Sequence, residues 1–270
     1  MIILHPEFLK TINSINELKE SIADLLEEKD YLTYYTCRNI EVDYMLKVGF
    51  LESKLLELEV KIEKAKKRIK LIESYINEDK PINNEEIENK LSENFSEIES
   101  ELNEMKKMVN FAFEYCNTDK YEISEDDIKE IRDVYRDVLR KLHPDINPNI
   151  TPDERRILFQ ATQYYEERNL KFLRSLKSLC IREKTLEETV EIDELEKLQE
   201  RKKRYEKIRR NIVRSITCMK NIFPYNQIEF LKDENEVRKK KDEINQEIES
   251  FNKIYAELKK IEEEIQKEGK

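Results

Sequence analysis

A histidine and an aspartate flank a proline near the middle of the chain, in His143-Pro144-Asp145. An imidazole beside a carboxylate suits proton transfer or a charge-assisted contact to a partner. Catalysis needs more, such as a nucleophile with an orienting base or a phosphate-binding loop. The sequence has two histidines, the other being His5, and two glycines, which leaves no glycine-rich phosphate loop and suggests no third triad member. We therefore predict a binding loop and no enzyme, cofactor or metal site.

The segment before this loop is patterned as an amphipathic helix. Apolar residues recur at spacings of three and four: Ile128, Ile131, Tyr135, Val138 and Leu142. Basic residues follow the same spacing on the opposite face: Lys129, Arg132, Arg136 and Arg140. Pro144 lacks an N–H and pushes His143 toward an extended conformation, so the helix is predicted to end there.

A second helix is predicted after the loop. Thr151 is a good N-cap, Pro152 suits the first helical position, and Glu154 completes a capping box. Two helices joined by a short exposed loop are expected to pack as an antiparallel pair.

The spacing of these motifs resembles that of the J-domain (DnaJ-type) co-chaperone family, over about residues 124–179. Tyr135-Arg136 begins eight residues before His143-Pro144-Asp145, and Asn147-Pro148 and the second helix follow. The resemblance implies that the first helix binds an acidic surface of a DnaK-class ATPase chaperone, and that the loop triggers ATP hydrolysis there. The binding residues it implies are Arg132, Arg136, Arg140 and Lys141, and the trigger residues are His143, Pro144 and Asp145.

The sequence departs from the family pattern in two places. Family members usually open with a short helix containing Tyr-x-x-Leu-Gly, and residues 115–123 have no such pattern, so the first J helix is missing or replaced. Asp137 stands where the family usually has a Lys after Tyr-Arg, which lowers the local positive charge.

Composition predicts an elongated all-α protein, because 41% of residues are charged and the chain has two glycines and no Trp. The net charge of −10 argues against nucleic acid or an anionic membrane as the partner of the whole molecule. The four cysteines form no Cys-x-x-Cys pair and are predicted to be core residues in a reducing compartment. With no signal peptide and no apolar run that could span a bilayer, we expect a cytoplasmic protein.

The flanks of the J-like core carry heptad seams typical of coiled coils. One seam runs from Val48 to Ile76 and another from Leu91 to Cys116, separated by a breaker in which Asn83 caps the next helix. We predict an N-terminal helix at 1–38, a helical hairpin at 39–118 whose first helix is capped by Asn39, and the J-like core at 119–182. A second antiparallel coiled-coil hairpin is predicted at 183–270, and this segment opens with an acidic connector. The chain is expected to be a monomer or a coiled-coil dimer that binds an unknown client through the hairpins.

Two other functions stay open beside the co-chaperone. The chain could be a coiled-coil adaptor whose J-like loop is inactive. It could also associate with nucleic acid through a basic stretch, for which the plainer interpretation is a solvated helix face paired with acidic neighbours. That stretch comprises Arg201, Lys202, Lys203, Arg204, Lys207, Arg209, Arg210 and Arg214.

Overall fold

The computed structural model describes residues 6–117, 124–179 and 195–268, and its regular elements there are all helical. This confirms the predicted all-α class. The α-helices are α1 (Pro6–Tyr31), α2 (Arg38–Tyr44), α3 (Phe50–Asn77), α4 (Asn84–Asn117), α5 (Glu125–Leu142), α6 (Pro152–Glu166), α7 (Leu170–Leu179), α8 (Leu195–Asn221), α9 (Ile228–Lys232) and α10 (Glu234–Glu268). Leu32–Cys37 and Met45–Gly49 are π-helical, and Tyr225–Gln227 is a 3₁₀ turn. Among these helices, none is both long and apolar enough to cross a membrane.

Contacts divide the chain into two compact units. The first comprises Met1–Arg38 and Lys120–Asn226, and the second comprises Asn39–Asp119 and Gln227–Lys270. The predicted N-terminal helix and J-like core thus share one unit, which also includes α8.

The first unit is built on α1, which packs against both α5 and α8. It runs parallel to α8, since Ser21 meets Arg209 at 3.0 Å and Glu28 meets Lys220 at 2.9 Å. Apolar side chains of α1, α5, α6, α7 and α8 form a single core cluster. The J-like pair α5 and α6 is therefore held between other helices of the same unit.

In the second unit, α3 packs against α4 and α10. The α4 helix is antiparallel to α3, as the 2.7 Å ion pair between Glu57 and Lys106 and the pair between Lys64 and Glu99 indicate. A cluster of buried residues joins the π-helical turn and the start of α3 to α10; it comprises Val48, Leu51, Val237 and Ile244.

The structure differs from the predicted C-terminal hairpin at 183–270. The α8 helix packs along α1 in the first unit, and α10 packs along α3 in the second. A heptad seam fixes which face of a helix is buried but leaves its partner open, because similar apolar rows fit many helices.

Two smaller predictions are also corrected. Asn39 lies inside α2 and caps no helix, because the π-helical turn before it keeps the backbone helical. Cys37 is half-buried while Cys116 and Cys218 are exposed, so these three are not core residues. Asn83 does cap α4, accepting from the Glu86 N–H at 3.1 Å.

Several predictions fall outside the described residues. These are the ones on His5, on Cys180, on residues 118–123 of the missing first J helix, and on residues 183–194 of the acidic connector.

Candidate functional site

The helix that carries the predicted basic row begins and ends as its sequence indicates. The Ser124 hydroxyl caps the start of α5, accepting from the Asp127 N–H at 3.1 Å. At the other end His143 leaves the helix with an extended backbone, φ −74° and ψ 131°, and its N–H donates to the Leu139 carbonyl at 2.9 Å. Pro144 thus stops α5 where the sequence predicts.

The His143-Pro144-Asp145 loop combines a partly buried imidazole with a more exposed carboxylate. The His143 side chain is 21% exposed and that of Asp145 50%, with 4.0 Å between Nδ1 and Oδ2. The Nδ1 atom accepts a hydrogen bond from the Asp145 N–H at 3.2 Å. Burial lowers the pKa of His143; the Asp145 carboxylate opposes this shift and Lys29 adds to it. The imidazole is therefore neutral at physiological pH.

Two sets of contacts hold the loop, one made by a residue of the loop itself and one made by α8. The Asn147 amide donates to the carbonyls of Arg140 and Lys141, both at 2.8 Å, which satisfies the open end of α5. Ile146 is 1% exposed, and its carbonyl accepts from the Tyr205 hydroxyl of α8 at 2.8 Å. The short connection between α5 and α6 is thus fixed by its own sequence and by a distant helix. The capping box of α6 forms as predicted between Thr151 and Glu154.

A buried polar network attaches α1 to the J-like pair. The Tyr135 hydroxyl donates to Asp30 at 2.8 Å and lies 3.1 Å from the Thr162 hydroxyl. The Tyr165 ring stacks on that of Tyr135 at 4.0 Å, and its hydroxyl donates to Glu27 at 2.7 Å. Burial raises the pKa of both tyrosines and of Asp30. The two phenols therefore stay protonated and act as donors, which orders α1 against α5 and α6.

The predicted basic row on α5 lies beside an acidic row on α1. The pairs are Arg132–Glu27 (2.7 Å), Arg136–Asp24 (3.5 Å) and Arg140–Glu20 (2.8 Å). The two helices run antiparallel here, so that the similar spacings of the two rows bring each arginine to one carboxylate of α1. Arg136 is also paired with Asp133 of its own helix, at 2.8 Å.

The three pairs differ in burial. Glu27 is nearly buried and accepts two bonds from the Arg132 guanidinium, at 2.7 and 2.8 Å. The side chains of Arg136 and Arg140 remain 43% and 45% exposed. The basic row is therefore only partly solvated, since α1 lies against one edge of it. Lys141 is half-buried, with no ion pair within 4.0 Å in the described ranges.

The acidic row of α1 was not predicted from the sequence, where the N-terminal helix was considered without the charges it carries. Glu20, Asp24 and Glu27 stand at spacings of four and three, close to the two four-residue spacings of Arg132, Arg136 and Arg140. That complementarity was the available signal. For Tyr205 there was none, because its partner is a backbone carbonyl 59 residues away.

Within the described ranges, no three His, Cys, Asp or Glu side chains are grouped as a metal site would require. Comparison with protein-family models, curated proteins and solved structures finds no match to this chain. The J-domain resemblance thus stays a prediction carried by its own residues.

Proposed function

We propose that the chain is a J-domain-like co-chaperone that recruits a DnaK-class chaperone and stimulates its ATPase through His143-Pro144-Asp145. The observation that carries this proposal is the loop itself. It joins two packed antiparallel helices, keeps the Asp145 carboxylate half-exposed, and is held in place by Asn147 and Tyr205. A rigid loop that presents a carboxylate suits a partner-facing trigger, because little ordering entropy is lost on binding.

In this proposal each part of the site has its own task. The neutral imidazole of His143 orients the loop by accepting from the Asp145 N–H, which leaves the carboxylate available for a charge-assisted contact. Arg132, Arg136, Arg140 and Lys141 supply attraction to an acidic surface. The chain contributes no catalytic group, since hydrolysis takes place on the partner.

The acidic row of α1 sets a condition for this recruitment. An acidic chaperone surface has to replace Glu20 and Asp24 beside Arg140 and Arg136. Such exposed pairs contribute at most about 1 kcal/mol each, so their exchange for a partner's carboxylates costs little. Arg132 keeps its partner Glu27, because that pair is more deeply buried.

In this proposal the second unit binds the client. Its α3 and α4 helices pair in antiparallel orientation and are joined by a short breaker, which supports a helical arm. We place this activity in the cytoplasm, and the predicted elongation of the chain stays part of the proposal.

The test is single-turnover ATP hydrolysis by a DnaK-class chaperone with wild type, Asp145→Asn and His143→Gln. Both variants should abolish stimulation, and Asp145→Asn should change the free energy of unfolding by less than about 0.5 kcal/mol because its carboxylate is half-exposed. Asp153→Asn is the matched control, because it removes an exposed carboxylate at the start of α6. Stimulation by both trigger variants at the wild-type level would contradict the proposal.

One observation favours the adaptor as a second candidate. The basic row is already paired with α1, and an inactive J-like core needs no further partner. If wild type gives no stimulation and no association with the chaperone at low salt, the adaptor function replaces the co-chaperone one.

A further inference from the structure

We infer that the outer face of α8 is a sequence-independent nucleic-acid site, which binds the phosphate backbone through Lys203, Lys207, Arg210 and Arg214. These four side chains are all exposed. At about 100° per residue they fall in a strip about 60° wide, and they extend about 16 Å along the helix axis. We call these four residues the α8 strip.

The α8 strip points away from the rest of the first unit. The buried residues of α8 lie on the opposite side of the helix: Leu198, Tyr205, Ile212 and Ile216. That buried side packs along α1, and its Tyr205 holds the Ile146 carbonyl. A ligand on the α8 strip therefore leaves the packing of the J-like core in place.

The described residues of the protein leave the α8 strip without ion-pair partners. In the part of the chain that the structure describes, none of its four cations has a carboxylate within 4.0 Å. The α8 sequence contains ten basic and three acidic residues, in a chain whose net charge is −10. By contrast, the arginines of α5 face carboxylates of α1. The plainer interpretation of the strip, a helix face paired with acidic neighbours, does not describe these residues.

The composition of the strip favours a nucleic acid over an acidic protein. Protein interfaces have a desolvated apolar or aromatic centre, and charged residues are depleted there. The α8 strip has one exposed large apolar neighbour, Val213, which is 39% exposed. Backbone recognition of nucleic acid needs cations alone, because its free energy comes from the counterions that the phosphates release. The lack of an exposed aromatic residue within the strip argues against base stacking and hence against sequence preference.

The experiment measures binding of a short labelled duplex DNA to the full chain by fluorescence anisotropy at several salt concentrations. Four phosphate contacts predict a slope of log K against log salt near −3.6, so that affinity falls about 150-fold between 50 and 200 mM salt. A single strand of the same length should give a slope near −2.8 and a fall of about 50-fold, whereas duplex RNA tests whether the sugar matters. A slope near zero overturns the inference.

Two sets of substitutions locate the site. Replacing the four residues of the α8 strip by Gln keeps helix propensity and should lower affinity at 50 mM salt by at least about tenfold, with a nearly flat salt dependence. The matched control replaces four exposed lysines of the second unit by Gln, namely Lys54, Lys67, Lys70 and Lys253. It removes the same charge and should leave affinity within about twofold. Equal losses of affinity in both variants would mean that binding depends on overall charge, which would overturn the assignment of the site to α8.

A competitor and a further variant distinguish nucleic-acid binding from binding of any acidic polymer and from chaperone recruitment. Displacement of the duplex by polyglutamate as effective as by unlabelled DNA would show a general acidic-polymer surface and overturn the choice of nucleic acid. Arg136→Gln with Arg140→Gln removes charge from the proposed chaperone-binding row and should leave duplex binding unchanged. Failure of chaperone recruitment and failure of nucleic-acid binding are thus read out in different variants.

Discussion

The Tyr205 hydroxyl donates a hydrogen bond to the Ile146 carbonyl, 2.8 Å away, and so joins α8 to the loop between α5 and α6. Tyr205 is 3% exposed and Ile146 is 1% exposed, which shields the bond from water. A buried carbonyl that loses its donor is costly, so this contact restrains the segment directly after Asp145. The position of the proposed trigger thus depends on a helix outside the J-like pair.

Removing that hydroxyl should weaken both stability and stimulation. Tyr205→Phe keeps the ring in the core but leaves the Ile146 carbonyl without its donor, and we expect unfolding to become easier by about 1 kcal/mol. ATPase stimulation should fall, because a looser loop loses more entropy on binding. Chemical denaturation and single-turnover hydrolysis measure the two effects. Tyr255→Phe, in α10 of the second unit, is the control and should change neither stability nor stimulation. Stimulation by Tyr205→Phe at the wild-type level would mean that the loop does not depend on its contact with α8.

The acidic row of α1 should divide into one stabilising residue and two weak ones. Glu27→Ala leaves the Tyr165 hydroxyl and the Arg132 guanidinium without their shared partner, and should cost about 2 kcal/mol because both were bonded at a buried carboxylate. Glu20→Ala removes a carboxylate that is 54% exposed and should cost less than about 0.5 kcal/mol. Urea denaturation of both variants measures the two losses in the free energy of unfolding. Equal effects would mean that burial does not distinguish the pairs.

The sequence predicted the J-like pair well because its signals are local. Ser124, Thr151 and Pro144 act on the backbone within a few residues of themselves, so that the ends of α5 and α6 follow from short-range rules. The apolar spacing of α5 likewise identified Ile131, Tyr135, Val138 and Leu142 as buried.

The partners of these helices were harder to predict. Seams of similar spacing on α1, α3, α8 and α10 fit many pairings, and the two pairings found, α1 with α8 and α3 with α10, join segments far apart in the chain. The predicted hairpin favoured neighbours in sequence, because loop closure is less costly over short separations. The ion pairs between α1 and α5 were hard to predict because they also join distant segments. Glu20 and Arg140, for example, are 120 residues apart.

The lowered pKa of His143 predicts a pH-dependent stability. Its cause is burial, and in the unfolded chain the imidazole has its ordinary pKa of 6.5. Between the lowered pKa of the folded state and about 6.5, the unfolded state binds more protons than the folded state. The free energy of unfolding therefore rises with pH in this range and falls on acidification. Denaturation of wild type and His143→Gln from about pH 7.5 to about pH 5.5 should show wild type losing stability relative to the variant as pH falls through 6.5. If the free energies of unfolding of the two proteins change in parallel with pH, His143 is exposed to water in the folded protein.

The last prediction concerns competition between α1 and the chaperone for the basic row. Glu20→Gln with Asp24→Asn removes two carboxylates beside Arg140 and Arg136 while leaving the buried Glu27 in place. If the chaperone presents acidic groups to the same arginines, association should strengthen by about 1 kcal/mol, or about fivefold, because each exposed pair given up contributes roughly 0.5 kcal/mol.

Titration of labelled chaperone with the double variant at low and high salt measures this gain, which should shrink at high salt as the charges are screened. Glu17→Gln is a matched control, because it removes an exposed carboxylate of the same helix that has no ion pair within 4.0 Å in the described ranges. Thermal melts should show all of these proteins folded, since exposed pairs contribute little to stability. Unchanged or weaker association of the double variant would mean that the chaperone does not use Arg136 and Arg140. Recruitment would then have to rest on His143-Pro144-Asp145 without the basic row.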